Sequence, residues 1–161
     1  MHNKSKRKAL FLDRDGTINI DKDYLFRIED FEFQPGIFEL LKKYSDLDYL
    51  IFIITNQSGI ARGYYNENDY LQLTKWITEQ LAAKGIHVEK VYHCPHHPEI
   101  TGKCECRKPK PGLIVQALNE YDIDPKLSVL IGDKERDILA GKNAGIGKNL
   151  YIQELLKKGI F

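Results

Sequence analysis

The sequence predicts a Rossmann-like three-layer α/β fold, with a parallel sheet covered by helices on both faces. Three observations carry this. Short apolar runs alternate with segments of helical period along the whole chain. Tyr49–Ile54 is a continuous Ile-rich run, as expected of a strand buried on both faces. The residues best suited to chemistry fall directly after the strand-like runs, where open α/β sheets bind their ligands.

Ala9–Asp13 reads as the first strand. Residues 18–34, mixed aromatic and acidic without clean periodicity, read as an excursion. Pro35-Gly36 opens the first helix, with Ile37, Leu40, Leu41 and Tyr44 on one face. The second strand is Tyr49–Ile54. Asn66 to Lys84 is a helix with the stripe Tyr70, Leu73, Ile77 and Leu81, stopped by Gly85; Trp76 belongs to the core. Val88–Tyr92 is the third strand, followed by a Cys/His/Pro/Lys-rich loop over 94–111. Gly112–Tyr121 is a third helix, its period loosely set by Leu113, Val115 or Gln116, and Leu118. Leu127–Ile131 is a fourth strand, Arg136–Ala144 a short helix, and Asn149–Ile152 an edge strand. No repeat, low-complexity tract or linker interrupts the series, which predicts one domain over 1–161.

The 161 residues are 29 % charged and 42 % hydrophobic, ordinary for a globular domain, with a net charge of +1. That charge gives no reason to expect nucleic acid or an anionic membrane as partner, and no stretch is long enough to span a bilayer. The basic start, Lys4 to Lys8, reads as a solvated tail without the apolar run of a signal peptide, so a cytoplasmic protein is expected. A monomer is expected for a near-neutral domain of this size. The three cysteines all lie between 94 and 106, a local cluster and no disulfide framework.

The chemistry centres on Asp13-Arg14-Asp15-Gly16-Thr17. Carboxylates at i and i+2 of an extended chain face the same side. Asp13 suits a nucleophile that also holds a hard cation, and Asp15 a proton donor to a leaving group. Two like charges this close push at least one pKa up. The bland alternative is an Asp-rich turn ending a strand.

Three further clusters fall at strand ends or in the loops after them. Thr55-Asn56-Gln57-Ser58-Gly59 offers hydroxyls, amides and free backbone N–H groups to phosphate oxygens. In Gly132-Asp133-Lys134, Asp133 can join Asp13 around Mg²⁺, which takes few carboxylates beside water and substrate oxygens. Asp137 fits either a helix first-turn carboxylate or a group orienting a lysine. In Arg107-Lys108-Pro109-Lys110, a lysine brought near the carboxylates would neutralise charge on a transferring phosphoryl group. Just before it, Cys94-Pro95-His96-His97 and Cys104-Glu105-Cys106 are two close pairs of soft ligands, the set of a closed structural Zn²⁺ site of Cys₃His type. His97 competes with His96 as the fourth ligand.

Taken together, the chain resembles the haloacid dehalogenase superfamily of phosphotransferases. Asp13 to Thr17 match its first motif, Thr55 its second, Lys108 its third, and Gly132-Asp133 with Asp137 its fourth. Thr55 to Gly63, Cys94 to Pro98 and Cys104 to Pro109 further resemble the histidinol-phosphate phosphatase-like subfamily. The resemblance implies a capless domain; because the chain ends soon after Tyr151-Ile152, any late C-terminal helix of longer relatives is expected to be shortened here. It implies Mg²⁺ held by Asp13, the Asp15 backbone carbonyl and Asp133, and structural Zn²⁺ held by Cys94, His96, Cys104 and Cys106. It implies attack by Asp13 to form an aspartyl-phosphate, with Asp15 as acid then base and Thr55 and Lys108 on the transferring phosphoryl group. A small phosphorylated sugar is the implied substrate, losing the 7-phosphate of a heptose 1,7-bisphosphate. Arg107 would grip its second phosphate. Asp21, Lys22, Asp23, Tyr24, Asn56, Gln57, Ser58 and Lys134 would touch sugar or phosphates. Histidinol phosphate is the nearest rival substrate. A receiver-like phospho-acceptor is the rival of another class, but receivers lack a second Asp two residues after the acceptor and have no use for the Cys/His loop. A small zinc-bearing binding module is not favoured by the near-neutral charge.

Overall fold

The computed structural model describes residues 6–159. Five parallel strands, β1 (Ala9–Leu12), β2 (Leu50–Asn56), β3 (Val88–Cys94), β4 (Val129–Gly132) and β5 (Lys148–Tyr151), form one sheet in the order β3-β2-β1-β4-β5. Between them run α1 (Ile37–Asp46), α2 (Glu67–Ala83), α3 (Gly112–Tyr121) and α4 (Glu135–Asn143), and α5 (Ile152–Lys158) follows β5. The chain winds outward from β1 to β3, then crosses to β4 on the other side of β1. The switch point of the sheet therefore lies between β1 and β4, where a crevice opens beyond the strand ends.

Alternation along the strands divides the core into two layers. Leu10, Leu12, Ile51, Ile53, Val129 and Ile131 point to one face and pack on the apolar stripes of α1 and α2 and on Ile152 of α5. Ala9, Phe11, Phe52, Ile54 and Leu130 point to the other and pack on α3 and α4. The α2 stripe is buried at Tyr70, Leu73, Ile77 and Leu81 as its spacing requires, and Asn66 caps the helix by accepting the Asp69 N–H. Trp76 packs against Phe31 and Phe33 at the edge of the first layer.

Four expectations change. The buried face of α3 is Leu113, Ile114 and Ala117, while Val115 is exposed. The loose period of that segment arose because a short, mostly apolar helix offers several faces and the small Ala117 fits closest to the sheet. Leu127 lies in a 3₁₀ turn opened by Pro125 and is exposed; β4 begins at Val129. The chain after β5 turns into α5 at Ile152. In the basic start, residues 4 and 5 lie outside the described residues. Arg7 is no free tail residue: its guanidinium donates to the Tyr121 carbonyl at 2.7 and 3.1 Å, and the Lys8 ammonium sits over the Tyr49 ring. No described helix is long and apolar enough to cross a membrane.

Candidate active site

Register brings the key carboxylates together. Leu12 pairs with Ile131 across the β1–β4 seam, and the Asp13 N–H donates to the Ile131 carbonyl. Asp13 and Asp133 thus leave neighbouring strands at the same level. Gly16, at φ 90°, lets the chain turn away, and a side chain there would collide with the Asp133 carboxylate. The turn glycine is also the space that Asp133 occupies.

Lys108 enters this cluster from the loop before α3. It is 3 % exposed, and its ammonium has three oxygen neighbours: Asp13 Oδ1 at 2.7 Å, Asp137 Oδ1 at 2.7 Å and the Ile54 carbonyl at 2.8 Å. Two of these contacts, to Asp13 and to the Ile54 carbonyl, are hydrogen bonds, and the third pairs the ammonium with the Asp137 charge. Burial alone would lower the Lys108 pKa, but the two carboxylates outweigh it and hold it above the ordinary lysine value. Burial drives the Asp13 carboxyl well above its ordinary value, opposed by Lys108 and reinforced by Asp137. Burial also raises Asp137, but the Lys108 charge more than reverses this and keeps Asp137 low. Asp137 combines both roles its position suggested: Oδ1 faces Lys108, while Oδ2 accepts the N–H groups of Asp133 and Lys134 at the start of α4.

Asp15 stands in a different setting. Arg14, 2 % exposed, forks onto it with Nε to Oδ2 and Nη2 to Oδ1, both at 3.1 Å. Asn19 donates to Oδ1 and Gln57 to Oδ2, each at 3.1 Å. The two carboxylates flanking Arg14 thus differ in kind: Asp13 is buried against a lysine, Asp15 is held by a ring of neutral and guanidinium donors.

Both line a cavity of about 250 Å³. Of the sequence-predicted residues, Asp13, Asp15, Asp21, Asp23, Tyr24, Asn56, Gln57, Ser58, Arg107 and Lys134 border it. Lys22 does not: its ammonium turns away to the Asp30 carbonyl. Thr55 and Lys108 lie buried beneath the floor. Asn56 spends its amide on the Lys108 backbone, donating to its carbonyl and accepting its N–H, which anchors the loop that delivers the lysine. Arg62, from the Thr55–Gly63 segment, also borders the cavity, as do Tyr65 and Arg136, the latter in the first turn of α4, which were not singled out from the sequence. The cavity is acidic at its floor and carries Arg62, Arg107, Lys134 and Arg136 around it, which suits a substrate with more than one anionic group.

The cysteine loop gathers three thiols. Cys94 Sγ lies 3.6 Å from Cys104 Sγ and 2.7 Å from Cys106 Sγ. Among the described residues, neither His96 nor His97 places a ring nitrogen in this tight group. His97 Nδ1 accepts the Glu99 N–H, while the His96 carbonyl accepts from Arg107. Burial pushes the Cys94 thiol up, whereas hydrogen bonds from Cys106 and nearby backbone outweigh burial and hold Cys104 down. Three sulfurs this close fit a thiophilic cation, which would ionise them together. The carboxylates fit a hard cation equally well: ligand oxygens of Asp13, Asp133 and Asp137 lie within 4.8 Å of one another, and Asp133 Oδ1 is buried without a hydrogen-bond partner.

Comparison with known proteins finds close relatives of this chain. A family described as HAD-hydrolase-like matches residues 105–152. The D-glycero-alpha-D-manno-heptose-1,7-bisphosphate 7-phosphatase of Campylobacter jejuni is 53 % identical over 156 residues, covering 97 % of this chain and 88 % of its own. The D-glycero-beta-D-manno-heptose-1,7-bisphosphate 7-phosphatase of Helicobacter pylori is 55 % identical over 152 residues, covering 93 % and 87 %. The crystal structure of D,D-heptose 1,7-bisphosphate phosphatase from B. bronchiseptica, complexed with magnesium and phosphate, superposes with a TM-score of 0.82 at 30 % identity, covering 94 % of this chain and 87 % of that one. With relatives this similar over nearly its whole length, the chain belongs to the heptose-1,7-bisphosphate 7-phosphatase family of the haloacid dehalogenase superfamily.

Proposed function

We propose that this protein is a Mg²⁺-dependent phosphatase that removes the 7-phosphate of D-glycero-D-manno-heptose 1,7-bisphosphate, as a cytoplasmic monomer. The observation that carries the reading is the pair Asp13 and Asp15 at one cavity wall, the first beside a buried ammonium at 2.7 Å, the second free of that lysine and ringed by other donors. The names of the relatives support the sugar bisphosphate over histidinol phosphate. The cations bordering the cavity also suit two phosphates better than one phosphate and an amine.

Asp13, Asp133 and the Asp15 backbone carbonyl would hold Mg²⁺, which when bound offsets negative charge on the phosphate oxygens. Asp13 attacks phosphorus, the bond from phosphorus to the C7 oxygen breaks, and Asp15 gives its proton to the departing oxygen. The aspartyl-phosphate then meets a water; Asp15 takes the water's proton as the new oxygen–phosphorus bond forms and the acyl-phosphate bond breaks, releasing inorganic phosphate. Lys108 balances the charge of Asp13 and of the transferring group, and Thr55 hydrogen-bonds that group. Arg107 takes the second phosphate. Cys94, Cys104 and Cys106, with His96 as fourth ligand, would hold a structural Zn²⁺ that fixes the loop carrying Arg107 and Lys108.

The test is phosphate release with Mg²⁺ from both anomers of heptose 1,7-bisphosphate and from histidinol phosphate, with Asp13→Asn as control. A strong preference for either bisphosphate anomer is expected. A preference for histidinol phosphate would overturn the substrate. Loss of all release, with a stable phosphate on Asp13, would restore the receiver-like reading.

A further inference from the structure

We propose that Gln57 and Tyr65 form a positioning relay for the acid–base carboxylate Asp15, with Tyr65 acting only through Gln57. The inference rests on Asp15 having the acid–base role proposed above. Gln57 is 2 % exposed, and its amide is fully committed: Nε2 donates to Asp15 Oδ2 at 3.1 Å and to Thr55 Oγ1 at 2.8 Å, while Oε1 accepts the Tyr65 hydroxyl. The Asp15 carboxylate, an acceptor, sets the sense of the amide, and the third contact matches it. A phenol hydroxyl donating to Oε1 leaves the NH₂ group facing Asp15 and Thr55. Burial pushes the Tyr65 phenol up to about 12, so that donor proton remains in place at neutral pH.

The surroundings hold Tyr65 for this task. It is 7 % exposed, its ring stacks on Phe26 at 5.3 Å, and Gly59 leaves the room it needs, since a methyl group at residue 59 would fall on the Tyr65 ring. The other donors to Asp15 come from its own segment, Arg14 and Asn19. Gln57 reaches it from the position directly after β2, whose end carries Thr55. One amide thus ties the acid–base group to a side chain placed for the phosphoryl group, and keeps the two in a fixed relation.

This separates the pair from plain substrate contacts. A group that orients Asp15 matters most where the leaving oxygen must be protonated as it departs. A sugar or other alkyl oxygen needs that proton, whereas p-nitrophenolate leaves without it. Tyr65→Phe keeps the ring and removes only the hydroxyl. It should lower kcat/KM for heptose bisphosphate, and for a simple alkyl phosphate, about tenfold through kcat, with KM within about twofold, while kcat/KM for p-nitrophenyl phosphate stays within about twofold. In a Gln57→Met background, adding Tyr65→Phe should change nothing further. Equal losses on alkyl and aryl phosphates, a rise in KM alone, or additive losses in the double variant would each overturn the relay. If the wild type cleaves aryl and alkyl phosphates but not the sugar bisphosphate, the substrate reading fails, and the relay is decided by the alkyl-to-aryl comparison.

Discussion

Lys108→Met removes the ammonium on which the floor of the site is balanced. Methionine keeps an unbranched apolar stem of nearly the same length, so packing is largely preserved, but Asp13 Oδ1 and the Ile54 carbonyl lose a donor and Asp137 Oδ1 loses its counter-charge. Breaking a buried ion pair from one side costs about 3–5 kcal/mol. Burial already drives Asp13 upward, so Asp13 takes a proton first and Asp137, 1 % exposed, keeps the unpaired charge. That places the loss near the lower end, about 3 kcal/mol, or a fall in Tm of roughly 6–12 °C for a chain of this size. Thermal unfolding followed by far-UV circular dichroism at pH 7, without added Mg²⁺, reads it directly. Adding Asp137→Asn to Lys108→Met should restore most of the loss, because an asparagine oxygen can still accept the N–H groups of Asp133 and Lys134. A fall below about 3 °C, near 1 kcal/mol, or no recovery in the double variant, would refute the balance described for Lys108, Asp13 and Asp137.

Asp13→Asn should abolish turnover while leaving the circular dichroism spectrum and Tm intact or raised, since it takes one charge from a crowded acidic cluster; retained turnover would remove Asp13 as nucleophile. Arg107→Ala should weaken kcat/KM for the bisphosphate by about tenfold or more, the scale of one charge-assisted hydrogen bond, and for a sugar monophosphate by less than about twofold; equal losses would mean Arg107 does not read the second phosphate. Elemental analysis of the purified protein should find about one zinc per chain, and a metal-free preparation that is stable and active would remove the structural site. The pH dependence of stability follows from the signs at Lys108 and Asp137. Lys108 is raised on folding, so its contribution is complete below the ordinary lysine value of 10.5 and is lost as pH climbs through the folded value. Asp137 is lowered, so its contribution is present above 3.8 and is lost as pH falls through its folded value. The Tm difference between wild type and Lys108→Met should therefore shrink above pH 10.5, and a difference that holds or grows there would contradict this.

The strands and most helices were legible because their physics is local. Tyr49–Ile54 could be placed from its apolar run, and α2 from a stripe at helical spacing stopped by Gly85. The floor of the site was legible for a related reason: carboxylates that follow β1 and β4 converge wherever those strands are neighbours. What the sequence hid depends on long-range fit. The face of α3 was decided by which side chain the sheet could admit, so Ala117 is buried and Val115 is not. Asn56 and Gln57 carry the right chemistry for phosphate, yet their partners are the Lys108 backbone and the Asp15 carboxylate. Amides serve either purpose, and only the fold assigns their donors. Tyr65 gave no signal at all, since an aromatic residue eight positions after Gln57 becomes its partner only once the loop closes around Gly59.

The two basic neighbours before α3 also differ in how they are held. Lys108 is fixed at both ends, its backbone by Asn56 and its ammonium by three oxygens. Arg107 has one long hydrogen bond, 3.4 Å to the His96 carbonyl, and otherwise follows the cysteine loop. A residue that neutralises charge in every turnover needs a rigid seat, because a shift of an ångström changes its interaction with the reacting oxygen most. A residue that recognises a distant anion gains from reach, since a guanidinium can close on the anion as it arrives. Under the roles proposed for them, the same stretch of chain would serve chemistry and recognition by anchoring one side chain to the sheet and leaving its neighbour to the loop.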